Sequence, residues 1–250
     1  MNKLSKFIAY SLTFVTLNTF ASNDEAKQVE EAVANAMHTF NVPGVAVAIV
    51  KDDNVVFSKG FGTRELGTDK KVTADTIFGI ASNTKAMTAA IIASLVDEGK
   101  LDWNTPVVDV LPEFQLYDAY VTREIQVKDL LAHNSGLGLG AGDLMIWPET
   151  SLSNQDILKK LKHVKPSSSF RSKFAYNNLM FVVAGEVIAK VEGKPWSEVI
   201  AERIFNPLGM DDTRAKFSLI EKSQKNVARA HVPLDGKLHK VGGNFLEQFS

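Results

Sequence analysis

The chain has 250 residues, of which 45% are hydrophobic and 23% charged, and this is the composition of a globular protein with one large core or two smaller ones. Its 28 basic and 29 acidic residues leave a formal net charge of -1, which gives no reason to expect nucleic acid or an anionic membrane surface as a partner. The sequence contains no cysteine, so its stability must come from core packing and not from disulfide bonds.

The first 21 residues predict a secretory signal peptide. Lys3 and Lys6 form a basic start, and an apolar stretch with some Ser and Thr follows over residues 7–20. Thr19 and Ala21 are small residues that suit a cleavage site. The stretch is too short and too polar for a membrane span, so we expect no transmembrane anchor after cleavage and a periplasmic or secreted protein. The alternative is an N-terminal helix that stays on the protein.

The next segment predicts a helix followed by a β-hairpin. Apolar residues recur at helical spacing over residues 25–39. Residues 44–50 form a β-rich run, residues 52–54 form a turn, and residues 55–60 return as a second strand. Because a two-stranded hairpin cannot bury itself alone, this segment requires more strands, which the rest of the sequence does not clearly supply.

A long, mostly helical region follows over about residues 81–215. The predicted helices cover Ser82 to about Gly99 and residues 127–131, 154–161, 179–191 and 195–205. The polar tail from Lys225 shows no obvious further element. We therefore expect an α/β fold of the α+β kind over residues 22–250, with an antiparallel sheet and a large helical region.

The tetrapeptide Ser82-Asn83-Thr84-Lys85 is the first motif with chemical meaning. Residues three apart share one face of a helix, so the hydroxyl of Ser82 and the amine of Lys85 are expected to face each other. A serine becomes a nucleophile when a neighbouring base takes its proton, and an amine can be that base. The pattern alone is weak, because four-residue patterns of common residues arise by chance.

Tyr176 and Asn178 form a second motif, directly before the helix predicted from residue 179. Residues two apart in an extended segment point to the same side. A phenol beside an ammonium group can relay protons, and an amide can hold both a substrate carbonyl and the lysine. Taken alone, this pattern favours a tyrosine of the core and an asparagine that caps the helix.

Together the motifs resemble the serine β-lactamase and penicillin-binding protein family, in particular its class C-like branch, which includes esterases and D-amino-acid peptidases. The resemblance covers roughly residues 30–215, with motifs at 80–85 (IASNTK), 130–137 (LLAHNSGL), 176–178 (YNN) and 206–210 (NPLGM) with Thr213. It implies a β-lactamase/transpeptidase-like fold. It also implies a nucleophile at Ser82, a general base or proton shuttle at Lys85, a second proton shuttle at Tyr176 and a substrate contact at Asn178.

The resemblance also implies a third motif, Lys or His followed by Thr or Ser and then Gly, on an edge strand after the helical region. The nearest match, Lys240-Val241-Gly242, lacks the hydroxyl and follows Tyr176 too closely, so we interpret it as a turn. In the family this strand supplies the second donor of the oxyanion hole, and losing one such donor costs about 10²–10³ in rate. We therefore expect the C-terminal strands of the sheet to be missing, as in a truncated member.

Other chemistries are not supported by the sequence. Gly136, Gly138 and Ala141 superficially match a dinucleotide fingerprint, but they follow a helical turn and not a strand. The five histidines lack metal-binding spacing, and no G-x-S-x-G elbow is present. We therefore expect no cofactor and no metal ion, and interpret His133 as a residue that braces its loop.

Three functional hypotheses remain open. The first is an exported serine hydrolase that forms an acyl-enzyme on Ser82 with a β-lactam, a D-alanyl peptide of the peptidoglycan kind or a small ester. The second is a truncated and catalytically impaired member that binds ligand weakly or is inactive. The third and weaker one is a binding or envelope-interaction module on the same scaffold. The substrate is not specified by the sequence, because one fold serves many substrates.

Overall fold

The computed structural model describes residues 23–147, 150–220 and 224–241. These residues divide into two compact units, one within residues 1–76 and 228–240 and the other within residues 77–227 and 241–250. The predicted signal peptide lies outside the described residues and stays a prediction. The assignment of residues 22–250 to one domain also stays a prediction.

The first unit contains one long helix and a β-hairpin, as predicted. These elements are α1 (Asn23–Thr39), β1 (Gly44–Lys51) and β2 (Asn54–Gly62), and the two strands pair in antiparallel register. The turn residues Asp52 and Asp53 have φ values of 49° and 60°, a conformation whose twist matches that of a hairpin. The Asn54 side chain donates to the Asp52 carbonyl at 2.7 Å and closes the turn.

The first unit also contains a second hairpin. Its strands are β3 (His231–Leu234) and β4 (Lys237–Lys240). Asp235 and Gly236 join them with positive φ values of 49° and 73°. The expectation that nothing follows Lys225 is therefore wrong, because an Asp-Gly turn pairs two short strands there. Lys240 ends β4 and does not lie in a turn, while Gly242 lies outside the described residues.

Contacts between segments that are distant in sequence hold this second hairpin to the loop after β2. The Leu66 amide donates to Nε2 of His231 at 3.0 Å, and Lys240 pairs with Glu65 at 2.9 Å. Hydrogen bonds from Lys70 and Lys240 lower the pKa of Glu65 to about 2, so its carboxylate stays ionised down to acidic pH. The first unit is therefore built from two separate stretches of the chain.

The second unit is helical over its described residues. Its helices are α2 (Thr84–Asp97), α3 (Val107–Val110), α4 (Ala119–Glu124), α5 (Val127–Leu131), α6 (Asn154–Lys160), α7 (Leu179–Glu192) and α8 (Trp196–Ile200). Helix α8 continues as a π-helical turn, Ala201–Phe205. The predicted helical region is confirmed. Helix α2 begins two residues later than expected, because Ser82 lies in a 3-10 turn before it.

Helix α7 forms the centre of the hydrophobic core of the second unit. Nine of its 14 residues are buried, and it packs against α2, α5 and α8. A helix that is apolar on all sides is stable only when neighbouring elements cover it. Gly193 ends the helix with a φ of 71°, a left-handed conformation that glycine adopts without strain. Since α7 starts directly after Tyr176 and Asn178, a rigid element positions both residues.

An ion pair with a buried carboxylate fixes helix α5 to the segment before α7. Arg171 donates from Nε to Oδ1 of Asp129 at 3.0 Å and from Nη2 to Oδ2 at 2.6 Å, and the Asp129 side chain is only 2% exposed. Burial raises the pKa of Asp129, but hydrogen bonds from Arg171, the Gln126 amide and Asn134 outweigh burial and hold this pKa below its ordinary value.

Replacing Arg171 with Met is expected to lower the free energy of unfolding by about 2 kcal/mol at neutral pH, because the Asp129 carboxylate is left buried without its cation. This is less than the about 3–5 kcal/mol of a fully buried pair, since Arg171 is 42% exposed. The pKa of Asp129 is lower in the folded protein than in the unfolded chain, where it is about 3.9, so the ionised carboxylate stabilises the fold above this unfolded pKa. The stabilisation is lost as the pH falls through the folded pKa. Urea unfolding at neutral and at acidic pH measures both effects.

The difference between the wild type and Arg171→Met should therefore shrink as the solution is acidified below about pH 4. Arg123→Met, which removes an exposed arginine from α4, is the matched control and should change stability little. Equal stability of the wild type and Arg171→Met at neutral pH would contradict the structural role of the pair.

Candidate active site

Ser82 lies in a tight turn directly before α2. Residues Ala81–Asn83 form a 3-10 turn, in which the amide and the side chain of Asn83 both donate to the Ile80 carbonyl, at 3.1 and 2.8 Å. Ala81 has a φ of 46°, a left-handed conformation that is unfavourable for a residue with a Cβ. Strain of this kind is concentrated at functional sites, and here it directly precedes an exposed serine.

Lys85 is buried next to the exposed Ser82, and its side chain is held by polar and aromatic neighbours. Its Nζ donates to Oγ of Ser82 at 3.3 Å and to Oδ1 of Asn178 at 2.9 Å. The same Nζ lies 5.2 Å from the ring centroid of Tyr176 and 5.3 Å from that of Phe181. Cation–π contacts and charge-assisted hydrogen bonds therefore fix an ammonium group beside the serine.

Tyr176 reaches the same serine from the segment before α7. Its hydroxyl donates to Oγ of Ser82 at 2.9 Å. Burial raises the pKa of the Tyr176 phenol and the charge of Asp143 adds to that rise, but hydrogen bonds with Ser82 and Lys85 and the Lys85 charge outweigh both. The pKa of Tyr176 therefore lies below its ordinary value, and the phenolate is more accessible than in a free tyrosine. When Tyr176 is ionised, the hydrogen bond reverses and the Ser82 hydroxyl donates.

Asn178 completes the group of four residues predicted from the sequence. It occupies the N-cap position of α7, yet its side chain makes no capping hydrogen bond. Its Oδ1 accepts from Lys85, and its Nδ2 donates to Oδ2 of Asp143 at 3.0 Å. The structure thus brings Ser82, Lys85, Tyr176 and Asn178 together, and the capping alternative for Asn178 is wrong.

The residue between the two motif positions, Asn177, is the one that caps α7. It is fully buried, its Oδ1 accepts from the Met180 amide at 3.3 Å, and its Nδ2 donates to the Gly138 and Ala141 carbonyls at 3.2 and 3.0 Å. Asn177 therefore holds the glycine-rich loop, residues 136–145, against the start of α7. This capping role was not predicted from the sequence, although an asparagine before an apolar helix is itself a capping pattern.

The His133 ring packs against the ring of Tyr176. Its Nδ1 accepts from the Asn177 amide at 3.2 Å, and its ring lies 4.4 Å from the Tyr176 ring and 5.3 Å from the Phe181 ring, measured between centroids. Burial and the charge of Lys85 lower the pKa of His133. A neutral imidazole is required for Nδ1 to accept, so the lowered pKa and the hydrogen bond agree. The bracing role expected for His133 matches this geometry.

Within the part of the chain that the structure describes, His, Asp and Glu side chains form no group of three that could hold a metal ion. None of the described helices is long and apolar enough to cross a membrane.

Comparison with known proteins identifies the class of this arrangement. The profile of the Beta-lactamase family matches residues 29–238, so the chain belongs to this family. The resemblance and the fold class predicted from the sequence motifs are thereby confirmed.

The chain is similar to proteins with several different activities. The chain is 34% identical to the "Unguisins hydrolase ungD'" of Aspergillus campestris over 81% of this chain and 39% of that protein. It resembles the octameric penicillin-binding protein homologue of Pyrococcus abyssi with a TM-score of 0.73 and 29% identity, covering 88% of this chain and 52% of the other. It resembles the D-amino acid amidase of Ochrobactrum anthropi SV3 with a TM-score of 0.70 and 26% identity, covering 84% and 56%. The chain therefore spans about two fifths of this curated relative and about half of these solved structures.

Proposed function

We propose that this protein is an exported serine hydrolase that forms an acyl-enzyme on Ser82. The observation that carries the proposal is the convergence of the Tyr176 hydroxyl, at 2.9 Å, and the Lys85 ammonium, at 3.3 Å, on one exposed serine oxygen. The distance from Tyr176 is within reach of proton transfer, and the contact from Lys85 places a positive charge beside the same oxygen. The periplasmic or secreted location is part of the proposal and is supported by the basic and apolar pattern of residues 1–21.

In the proposed reaction, Oγ of Ser82 attacks the carbonyl carbon of the substrate. Its proton passes to the phenolate oxygen of Tyr176, which the Lys85 ammonium stabilises, and Tyr176 then protonates the leaving nitrogen or oxygen as its bond to carbon breaks. Water next attacks the acyl-serine ester and gives a proton to Tyr176. The proton returns to Ser82 when the acid product leaves. The backbone amide of Ser82 is suited to donate to the oxyanion.

The proposed substrates are β-lactams, D-alanyl peptides of the peptidoglycan kind and small esters. The breadth of this set is supported by the relatives, which include a hydrolase and a D-amino acid amidase. Asn178 is proposed to contact the substrate carbonyl while it holds Lys85.

A second candidate function is a catalytically impaired member that binds ligand. It is favoured by one observation: the sequence contains no Lys or His followed by Thr or Ser and Gly, and Lys240-Val241-Gly242 lacks the hydroxyl. An oxyanion hole with one donor in place of two loses about 10²–10³ in rate. A binding or envelope-interaction module remains the weaker third proposal.

Covalent labelling tests the first proposal. The folded protein, checked by a cooperative thermal transition, is incubated with a fluorescent penicillin and, separately, with a fluorophosphonate. We expect an adduct whose peptide map assigns it to Ser82. Turnover of a chromogenic β-lactam, a D-alanyl-D-alanine peptide and a small nitrophenyl ester then separates the two candidates, because an impaired member is labelled without measurable turnover. A folded sample that takes up neither label contradicts the proposal.

A further inference from the structure

Asp143 lies beside the four predicted residues, and neither motif contains it. It opens the 3-10 turn Asp143–Met145 of the glycine-rich loop. The preceding residue, Gly142, has a φ of 83°, and a Cβ there would come within 2.3 Å of Cδ1 of Leu179. The positive φ of Gly142 is one that glycine adopts without strain, and with this turn the loop brings the Asp143 carboxylate against Asn178 at the start of α7.

The two oxygens of the Asp143 carboxylate have different surroundings. Oδ2 accepts from Nδ2 of Asn178 at 3.0 Å. Oδ1 is buried and has no hydrogen-bond partner among the described residues. A buried acceptor without a partner destabilises a fold, so this carboxylate is retained at a cost in stability. Such a cost is expected where a residue serves the reaction and not the fold.

The Asn178 amide lies between a group that only accepts hydrogen bonds and a group that only donates them. The Asp143 carboxylate cannot donate when ionised, and the Lys85 ammonium cannot accept. Only one of the two amide orientations satisfies both neighbours, with Nδ2 toward Asp143 and Oδ1 toward Lys85. In the reversed orientation the amide would present its hydrogens to an ammonium and its oxygen to a carboxylate.

We propose that Asp143 is a positioning residue for the proposed acylation: its carboxylate fixes the Asn178 amide so that Oδ1 holds Lys85. The negative charge of Asp143 also raises the pKa of Tyr176. The proposal rests on the proposed function of Ser82. Three groups that titrate or carry charge face this cluster, namely Lys85, Tyr176 and His133, and Asp143 is the one described residue that adds a negative charge to them.

The decisive variant is Asp143→Asn, in which an amide replaces the carboxylate at nearly constant volume. The new amide can donate to Oδ1 of Asn178, so the Asn178 amide is free to reverse and Oδ1 of Asn178 no longer accepts from Lys85. We expect kcat/KM to fall about 10- to 100-fold, because a displaced catalytic group costs rate on this scale. Loss of the negative charge lowers the pKa of Tyr176 further, so the acid limb of the pH–rate profile should move to lower pH.

The expected change in stability separates this role from a structural one. Asp143→Asn should keep or raise the midpoint of thermal unfolding, because a buried charge without a full set of partners is removed. Asp143→Ala, which leaves Nδ2 of Asn178 without its acceptor, should lower kcat/KM in the same direction. Asp156→Asn is the matched control, since this carboxylate accepts from Ser153 in the capping box of α6. It should leave the pH–rate profile unchanged.

Ultraviolet titration of tyrosinate gives a readout that does not require turnover. The protein has four tyrosines, and subtracting the titration of Tyr176→Phe isolates the signal of Tyr176. We expect its midpoint to be lower in Asp143→Asn than in the wild type. The proposal would be overturned if Asp143→Asn left both the tyrosinate titration and the pH–rate profile unchanged. A lower unfolding midpoint of this variant, without a shift of either curve, would show a purely structural role and would also overturn it. Failure of the wild type to acylate Ser82 would overturn the proposed function instead, and the tyrosinate titration would still decide the electrostatic role of Asp143.

Discussion

Ser82→Ala is expected to abolish covalent labelling by penicillins and fluorophosphonates and to lower the rate of hydrolysis by about 10⁴-fold or more. The alanine has no oxygen with which to form the acyl ester, while Tyr176 and Lys85 keep their places. Because the Ser82 side chain is exposed, the free energy of unfolding should change by less than about 0.5 kcal/mol. Intact-mass analysis after labelling and initial rates on an ester substrate measure the two effects.

Ser94→Ala is the matched control for this experiment. Ser94 lies on α2, and its hydroxyl donates to the Ile91 carbonyl at 2.8 Å and accepts from Arg203 at 3.2 Å. The control should be labelled at the wild-type rate even if its stability falls slightly. A Ser82→Ala protein that retains the adduct would show that another residue is the nucleophile.

Lys85→Met should have the second largest effect, a fall in the acylation rate of about 10²–10⁴-fold. Methionine has nearly the shape of the lysine stem, so the rings of Tyr176 and Phe181 keep an apolar neighbour. The variant lacks the ammonium that stabilises the phenolate and anchors Oδ1 of Asn178. Replacing a buried charge by an apolar side chain is often neutral or stabilising, so thermal unfolding should not move to lower temperature by more than a few degrees.

The control for Lys85→Met is Lys128→Met. Lys128 also donates to an asparagine side chain, Oδ1 of Asn104 at 2.6 Å, but it is exposed. Stopped-flow acylation with both variants distinguishes a specific effect of Lys85 from a general effect of lysine removal. Wild-type acylation by Lys85→Met would contradict the proposed role of the Lys85 ammonium in stabilising the Tyr176 phenolate.

The residues predicted from the sequence were those whose chemistry depends on local spacing. Ser82 and Lys85 are three residues apart, and Tyr176 and Asn178 are two apart, so helical and extended geometry already place each pair on one side. The family resemblance indicated that the two pairs belong to one site. Sequence spacing could not show that Asn178 holds Lys85 across 93 positions, since that contact depends on how α2 and α7 pack.

The residues that were missed act through long-range contacts or backbone conformation. Asp143 meets Asn178 across 35 positions, and the positive φ of Ala81 arises in a turn that the S-x-x-K pattern does not describe. The β3–β4 hairpin was missed for another reason. Its strands have four residues each, and Pro233 interrupts the β pattern, although Asp235-Gly236 is a strong hairpin turn.

The discontinuity of the first unit determines the order in which the chain can fold as it is synthesised. The pair between Lys240 and Glu65 joins residues 175 positions apart, and residues 77–227 of the helical unit are translated between them. Contacts of such long range form late, because a large loop must close first. The helical unit, with α7 at its centre, can therefore complete its core before β3 and β4 of the first unit have been synthesised. A nascent chain stalled before residue 228 should expose the β1–β2 hairpin to protease and keep the helical core protected.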